Sequence, residues 1–272
     1  MAQKGSGSSM QDQDWWVDTH AHVTHSKMAG GLNQILENCK AENVRWVVSA
    51  ATCAEDAVRL TEIAAESEIV RAAVGIHPND THLAEPGDWE AIVRLANEAK
   101  NVVAIGETGL DRYWKDAPFE IQTDYFLRHL ELAESLNLPV VIHCRDAMSD
   151  ILKLLEDRGR SVRGTLHCFI GSLEDAQRLM QLGLHLGLGG ICTFTNKEFD
   201  ALRDVIRQIP EDRILTETDA PFLSPHPFRG KTNEPARVAV VGRAIAAMRG
   251  WTNEYCARVT TANARNVFGL ND

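Results

Sequence analysis

Two histidines one residue apart, His20 and His22, follow a short apolar run near the start of the chain. On an extended strand, side chains two apart point the same way, so this pair can close on one cation. Two histidines in a surface loop give the same spacing. The other apolar runs separate these readings, because they also end in metal-ligating types. His77 follows VGI, Glu107 follows VVAIG, His143 follows LPVVI, His167 follows GTL and Asp219 follows LTET. Neutral imidazole is the commonest metal ligand. A carboxylate at the end of a buried run needs a cation, since unpaired burial of charge is costly. For Glu107 that cation is a metal, or an arginine such as Arg145. His20, His22, His143, His167, Glu107 and Asp219 exceed one ion's needs. They suit two divalent cations about 3.5–4 Å apart that share a carboxylate. Such a pair lowers the pKa of water and neutralises a phosphate or a tetrahedral carbonyl intermediate, so the chemistry indicated is metal-dependent hydrolysis. Asp219 is placed as general base and Glu107 as the bridge. No G-x-S-x-G is present, and Ser224 lies in a proline-rich loop, so a serine nucleophile is not indicated.

Around this set stand residues with weaker signals. His77 is placed beside the centre, either behind the ligands or against a substrate phosphate. Arg145, Arg229 and Lys231 are candidates to hold an anionic substrate. Glu217, two before Asp219, is expected on the same strand face, as a carboxylate behind the ligands or as a polar group inside the fold. Asp111 is expected to cap a helix or shape a loop. Cys144 and Cys168 each follow a ligand histidine and should face the opposite way, as small apolar fillers. His82, His129, His185 and His226 are taken as structural or surface residues, and Trp15, Trp16, Trp46, Trp89 and Trp251 as packing groups.

Eight apolar, β-rich runs must carry these residues. They cover 15–17, 44–50, 70–76, 102–105, 139–142, 165–166, 184–190 and 214–218. Continuous apolar runs suit strands buried on both faces. Between them lie stretches of helical period at 54–66, 120–136, 200–209 and 237–249. Strands alternating with helices over about 250 residues predict a single-domain (β/α)8 TIM barrel with its site at the C-terminal rim of the strands. A doubly wound open sheet is the competitor, but the turn after the first run, DTHAHVTH, has no G-x-G-x-x-G. Residues 1–12 are expected to form a flexible leader and 13–272 the barrel.

Composition narrows the class further. The chain has 272 residues, 44% of them hydrophobic and 24% charged, an ordinary globular balance. Its net charge of −10 excludes wrapping of nucleic acid by the bulk surface, while a strand end inside a metal-charged cleft stays compatible. Six scattered cysteines, none in C-x-x-C, predict reduced thiols and a cytoplasmic setting. No apolar run of about 18 residues predicts a membrane span. No obligate protein partner is indicated.

The motifs Asp18-Thr-His-Ala-His22, Gly75-Ile-His-Pro78, Gly106-Glu-Thr-Gly-Leu-Asp111, Pro139-Val-Val-Ile-His-Cys-Arg-Asp-Ala147, His167-Cys-Phe-Ile-Gly171, Glu217-Thr-Asp-Ala-Pro-Phe-Leu223 and Asn233-Glu-Pro235 occur in this order. With the ending Thr261-Ala-Asn-Ala-Arg-Asn-Val-Phe-Gly269, the chain resembles the TatD family of metal-dependent deoxyribonucleases, which are amidohydrolase-like TIM barrels. The resemblance implies a cytoplasmic 3′–5′ exonuclease acting on single-stranded DNA, and in some members RNA, with two divalent cations (Mg, Mn or Zn). It implies His20, His22, Glu107 and Asp219 around one cation and Glu107, His143 and His167 around the other, with His77 near the scissile phosphate. The chain departs from the family at Arg112 and Tyr113, where an aromatic residue commonly follows the aspartate, so Arg112 becomes a candidate phosphate contact. It also departs at Val23-Thr-His25, which makes His25 an extra rim histidine or a loop residue. A small-molecule amidohydrolase, lactonase or phosphotriesterase on the same barrel is the alternative. Such enzymes often bridge their metals with a carboxylated lysine, and no lysine ends a strand here.

Overall fold

A computed structural model describes residues 15–29 and 31–271. The expected leader, 1–12, lies outside the described residues, as do 13, 14, 30 and 272 of the expected barrel.

Eight parallel strands run in the order of the chain. They are β1 (Trp16–Ala21), β2 (Val44–Ala50), β3 (Val70–Val74), β4 (Val102–Asp111), β5 (Val140–Arg145), β6 (Gly164–Leu166), β7 (Leu184–Leu188) and β8 (Ile214–Thr216). Each pairs with the next, and helices fill the connections. The sheet comes back on itself through the isolated bridge between Ala21 and Ala220 and two main-chain bonds, Asp219 N to His20 O at 2.9 Å and His22 N to Ala220 O at 2.7 Å. This is the predicted TIM barrel, nearly closed. Among the described residues no helix is long and apolar enough to cross a membrane.

Strand side chains alternate, so the barrel needs two apolar sets. The inward set is small at mid-height, with Ala50, Ala73 and Ala104, and is sealed below by Trp46, which is fully buried. The C-terminal helix Asn253–Phe268 brings Ala264, Val267 and Phe268 onto that same cluster. Asn263 ties this helix to the barrel by donating to Glu211 O and Ile214 O. The outward set packs under the helices, whose apolar residues recur at three and four positions, as in Ala57, Leu60 and Ala64 of Ala54–Glu66.

The strand ends differ from the sequence expectations in ways that matter to the site. β1 runs on to Ala21, three residues past Asp18, and β4 runs on to Asp111, so Glu107 lies inside a strand. β3 stops at Val74, which leaves His77 in the following loop. β8 stops at Thr216, so Glu217 and Asp219 lie beyond it. Gly109 lets β4 approach β5 at the level of the site: its φ is 145°, and a Cβ there would lie 2.0 Å from His143 O.

Candidate metal centre and active site

Glu107 sits at the middle of the rim, 2% exposed, and its two oxygens face different partners. Oε2 lies 3.3 Å from His20 Nε2 and 3.4 Å from His22 Nε2. Oε1 lies 2.8 Å from His167 Nε2, 2.9 Å from His143 Nδ1 and 3.6 Å from His77 Nε2. Asp219 reaches in from beyond β8 and places Oδ1 3.6 Å from His20 Nε2 and 3.5 Å from His22 Nε2. The ring of His20 stacks on that of His167, centroids 3.8 Å apart. Residues distant in sequence thus meet because parallel strands put their C-terminal ends on one rim.

The donor and acceptor pattern fixes which nitrogen of several imidazoles turns toward the centre. His22 Nδ1 lies 2.9 Å from Ala50 O, which can only accept, so Nδ1 carries a proton and Nε2 is the atom left to face Glu107 and Asp219. His143 Nε2 lies 3.0 Å from Asp111 Oδ2, which leaves Nδ1 to face Glu107. His77 is the opposite case. The amide of Asn79 donates to its Nδ1, so a neutral His77 carries its proton on Nε2 and points it at the centre.

A cation fits this arrangement. Glu107 Oε2 is buried with no hydrogen-bond partner although two imidazole nitrogens stand beside it. His20 Nε2 and His22 Nε2 are 3.2 Å apart, a spacing that needs a proton or a cation between the two nitrogens. Three overlapping groups bring their ligand atoms within 4.8 Å: His20 with His22 and Glu107, His20 with His167 and Asp219, and His77 with Glu107 and His143.

The pKa directions have the same origin. Burial alone lowers a histidine. In His22, Asp219 and Glu107 outweigh burial and lift it to about 9. In His143, burial is outweighed by Asp111 and Glu107, and in His167 by Glu107 and Glu217. Glu107 and Asp219 are raised by burial, but the surrounding imidazoles pull both below the usual carboxylate range. Burial dominates in His77 and holds it neutral, with a pKa near 3. The cluster therefore attracts positive charge while His77 remains a neutral donor.

A cavity of about 830 Å³ opens over these residues. His22, Glu107, His143, His167 and Asp219 form its floor, with His77, Asn79 and Asp111 on one side. Trp114, Arg145, Ile170 and Phe222 stand at its walls. Trp114 and Phe222 are 50% and 42% exposed, unusual for such large apolar groups.

The chain matches the family model described as TatD related DNase over residues 17–269. It belongs to the TatD family. It is 40% identical over 255 residues to the uncharacterized metal-dependent hydrolase YabD of Bacillus subtilis, covering 93% of this chain and 99% of that one. It is 32% identical over 258 residues to the 3′–5′ ssDNA/RNA exonuclease TatD of Klebsiella pneumoniae, covering 93% and 97%. Among solved structures it is similar to YjjV, a TatD homologue from Escherichia coli K12, with a TM-score of 0.88, 30% identity, and coverage of 94% and 98%. The chain is thus a TatD-family metal-dependent hydrolase.

Within this TatD-family rim, the residues proposed from sequence divide. His20, His22, His77, Glu107, His143, His167 and Asp219 come together, and Arg145 reaches the cavity wall, stacked 3.8 Å over Tyr113. Three basic residues do not join them, and none lines the cavity. Arg112 is held by Asp150 through two 2.7 Å bonds and stacks on Phe119, which corrects the expected phosphate contact. Arg229 stacks on Phe194 and donates to Asn196. Lys231 is exposed, in the loop where its carbonyl accepts from Ser224. Each sits on a loop whose course no residue spacing gives.

Further corrections follow from the strand ends. Glu217 and Asp219 do not share a strand face. Asp219, at φ 56°, turns to His20 and His22, whereas Glu217 turns inward to lie 3.6 Å from His167 Nδ1 and accept from Cys168 N. Gly187 makes room for it, since a Cβ there would lie 2.1 Å from Glu217 Oε2. Asp111 is no simple cap. Its Oδ2 accepts from His143 Nε2 and Asn79 Nδ2, and its Oδ1 from the amides of Tyr113 and Trp114. The signal for this role was its position four residues after Glu107, on one continuous strand. Cys144 and Cys168 line the cavity instead of turning away; burial lifts the Cys144 thiol to about 12, so it remains protonated. His25 lines the rim, edge-on to Phe222. Trp114, absent from the sequence-based set, is part of the cavity wall.

Proposed function

We propose that this chain is a two-cation 3′–5′ exonuclease that removes nucleotides from single-stranded DNA, and from RNA. The observation that carries the reading is the division of Glu107, one oxygen toward His20 and His22 and the other toward His143 and His167. A shared carboxylate of this kind suits paired-cation hydrolysis, and the TatD family model supports a phosphodiester as the bond cut. His20, His22, Glu107 and Asp219 would hold one cation, and Glu107, His143 and His167 the other. Bound there, the cations supply positive charge for the phosphate and make water a better nucleophile at neutral pH.

The chain's own residues supply the rest. Asp219, held ionised, orients the attacking water and takes its proton. His77, held neutral with its Nε2 proton aimed at the centre, donates to a phosphoryl oxygen. Arg145, at the cavity wall, draws the anionic strand in, and Trp114 offers a face to a base. The name of the Klebsiella pneumoniae relative supports the polarity and the single-stranded substrate. Six unpaired cysteines support a reducing, cytoplasmic setting.

The test is a gel assay on strands labelled at the 3′ or the 5′ end, with Mg²⁺, Mn²⁺, Zn²⁺ or chelator, beside Glu107→Ala. A ladder shortening from the 3′ end, lost with chelator and in the variant, is expected. Intact strands with every metal would overturn the reading, and lactone and phosphotriester substrates would then be assayed.

A further inference from the structure

The two halves of the first cation site come from opposite ends of the chain. His20 and His22 stand on and just after β1, and Asp219 stands beyond β8. The seam between these strands is closed by the isolated Ala21–Ala220 bridge rather than a ladder, with the two main-chain bonds of Asp219 and His22 and, below them, Thr19 Oγ1 donating to Thr216 O and Thr216 Oγ1 donating to Val17 O. A site whose ligands must agree within a few tenths of an ångström therefore straddles the place where the backbone does least to fix them.

At the level of the site, Asp18 spans that seam. Asp18, fully buried, accepts from Thr218 N at 2.8 Å, from Thr218 Oγ1 at 2.6 Å and from His20 N at 3.3 Å. Thr218 is pinned further, since its Oγ1 accepts from Ala220 N and its carbonyl from Asn233 Nδ2. These bonds bracket Asp219, whose left-handed backbone would otherwise relax. All three donors to Asp18 are neutral. A buried carboxyl group served only by neutral partners is a poor source of stability, so its use here is geometric. Oδ1 takes both backbone amides and Oδ2 takes the Thr218 hydroxyl, so removal of the whole carboxyl group, as in Asp18→Ala, breaks all three bonds.

We infer that Asp18, through Thr218, is the positioning residue that sets Asp219 against His20 and His22 across the barrel seam. The inference rests on the two-cation reading and adds that the cations differ in what secures them. The first depends on the Asp18–Thr218 clasp, and the second, held by residues of β4 and β5 and by His167, does not.

The experiment titrates Mn²⁺ into full-length wild type, Thr218→Val, Thr218→Ser and Asp18→Ala, followed by calorimetry and electron paramagnetic resonance. Hydrogen exchange is measured on the metal-free proteins. In Thr218→Val, which keeps shape and loses the hydroxyl, one of two Mn²⁺ ions should bind about 10–100-fold more weakly and the other as in wild type. Exchange should rise at 18–22 and 217–220. Thr218→Ser should restore both. Asp18→Ala should resemble Thr218→Val, and the inference stands on the threonine variants if Asp18→Ala fails to fold. Thr218→Val binding both ions within about threefold of wild type, or weakening both equally, would overturn the inference, since orienting partners act on the ligands they touch. Wild type binding fewer than two ions would sink the two-cation reading instead. The clasp is then decided by exchange alone, where unchanged protection at 217–220 in Thr218→Val refutes it.

Discussion

Asp111→Asn is the sharpest perturbation of the centre, because it changes one atom and leaves the shape. Asp111 Oδ1 holds the Tyr113 and Trp114 amides at 2.8 and 3.0 Å, and an asparagine oxygen can keep both. Its amide nitrogen then takes the place of Oδ2, 3.0 Å from His143 Nε2 and 3.1 Å from Asn79 Nδ2, whose amide can turn over to present its unpartnered oxygen. Two donors would face each other, and His143 escapes by moving its proton to Nδ1. That proton then points at Glu107 Oε1, 2.9 Å from Nδ1, and takes up the lone pair a cation would need. His143 cannot ligate in this tautomer. Loss of such an orienting partner weakens metal binding about 10–100-fold, or about 1.4–2.8 kcal/mol. Asp111→Ala, which leaves Nε2 free to meet water, should be the milder variant. Calorimetric titration with Mn²⁺ at pH 7.5 measures this, with activity at low and saturating metal read in parallel. The weakened ion should be one of two, and high metal should restore part of the activity. Equal affinities in wild type and Asp111→Asn would refute the tautomer argument.

Glu107→Gln should remove the bridge, so inductively coupled plasma analysis should find less than the wild-type metal content and hydrolysis should fall by on the order of 10²–10⁴-fold. Chelation of the wild type should have the same effect and be reversed by added Mn²⁺. His129 is buried, accepts from Ile76 N and has a pKa lowered by burial to about 4, against about 6.5 unfolded. Between those pH values only the unfolded chain takes up this proton, so wild-type stability falls as pH falls, by about 1.4 kcal/mol per pH unit from this group. The stability gap between wild type and His129→Gln, from urea melts of metal-free protein, should narrow from pH 6.5 to 4; a constant gap would contradict this. Trp114→Ala should raise KM for a single strand about 5–150-fold with little change in kcat, from loss of about 1–3 kcal/mol of stacking. Steady-state kinetics on a short oligonucleotide checks it.

Much of this architecture was legible in the chain. The β2 run at 44–50 and the helix at 54–66 have the observed limits, because burial on two faces and a three-to-four spacing leave little choice. The strand ends were less legible. β1 and β4 continue past polar residues: Asp18 stays paired with Val47, while His20 and Glu107 fall within register shifts after which each ladder resumes, at Ala21 and at Thr108. A polar residue in an apolar run marks either a strand's end or a buried function, and local pattern does not distinguish them.

The ligand-type residues were available from type and order alone, because a parallel barrel sends every strand's end to one rim. What no spacing contained was which atom of each residue faces inward. That depends on partners supplied by other elements: Ala50 O for His22, Asn79 N for His77 and Asp111 for His143. Nor did the sequence decide that Arg145 reaches the cavity while Arg112 closes on Asp150. A side chain's type and its place along a strand are local properties carried by the sequence. Its tautomer, its partner and the direction of its charge are set by atoms that come near only when the barrel closes.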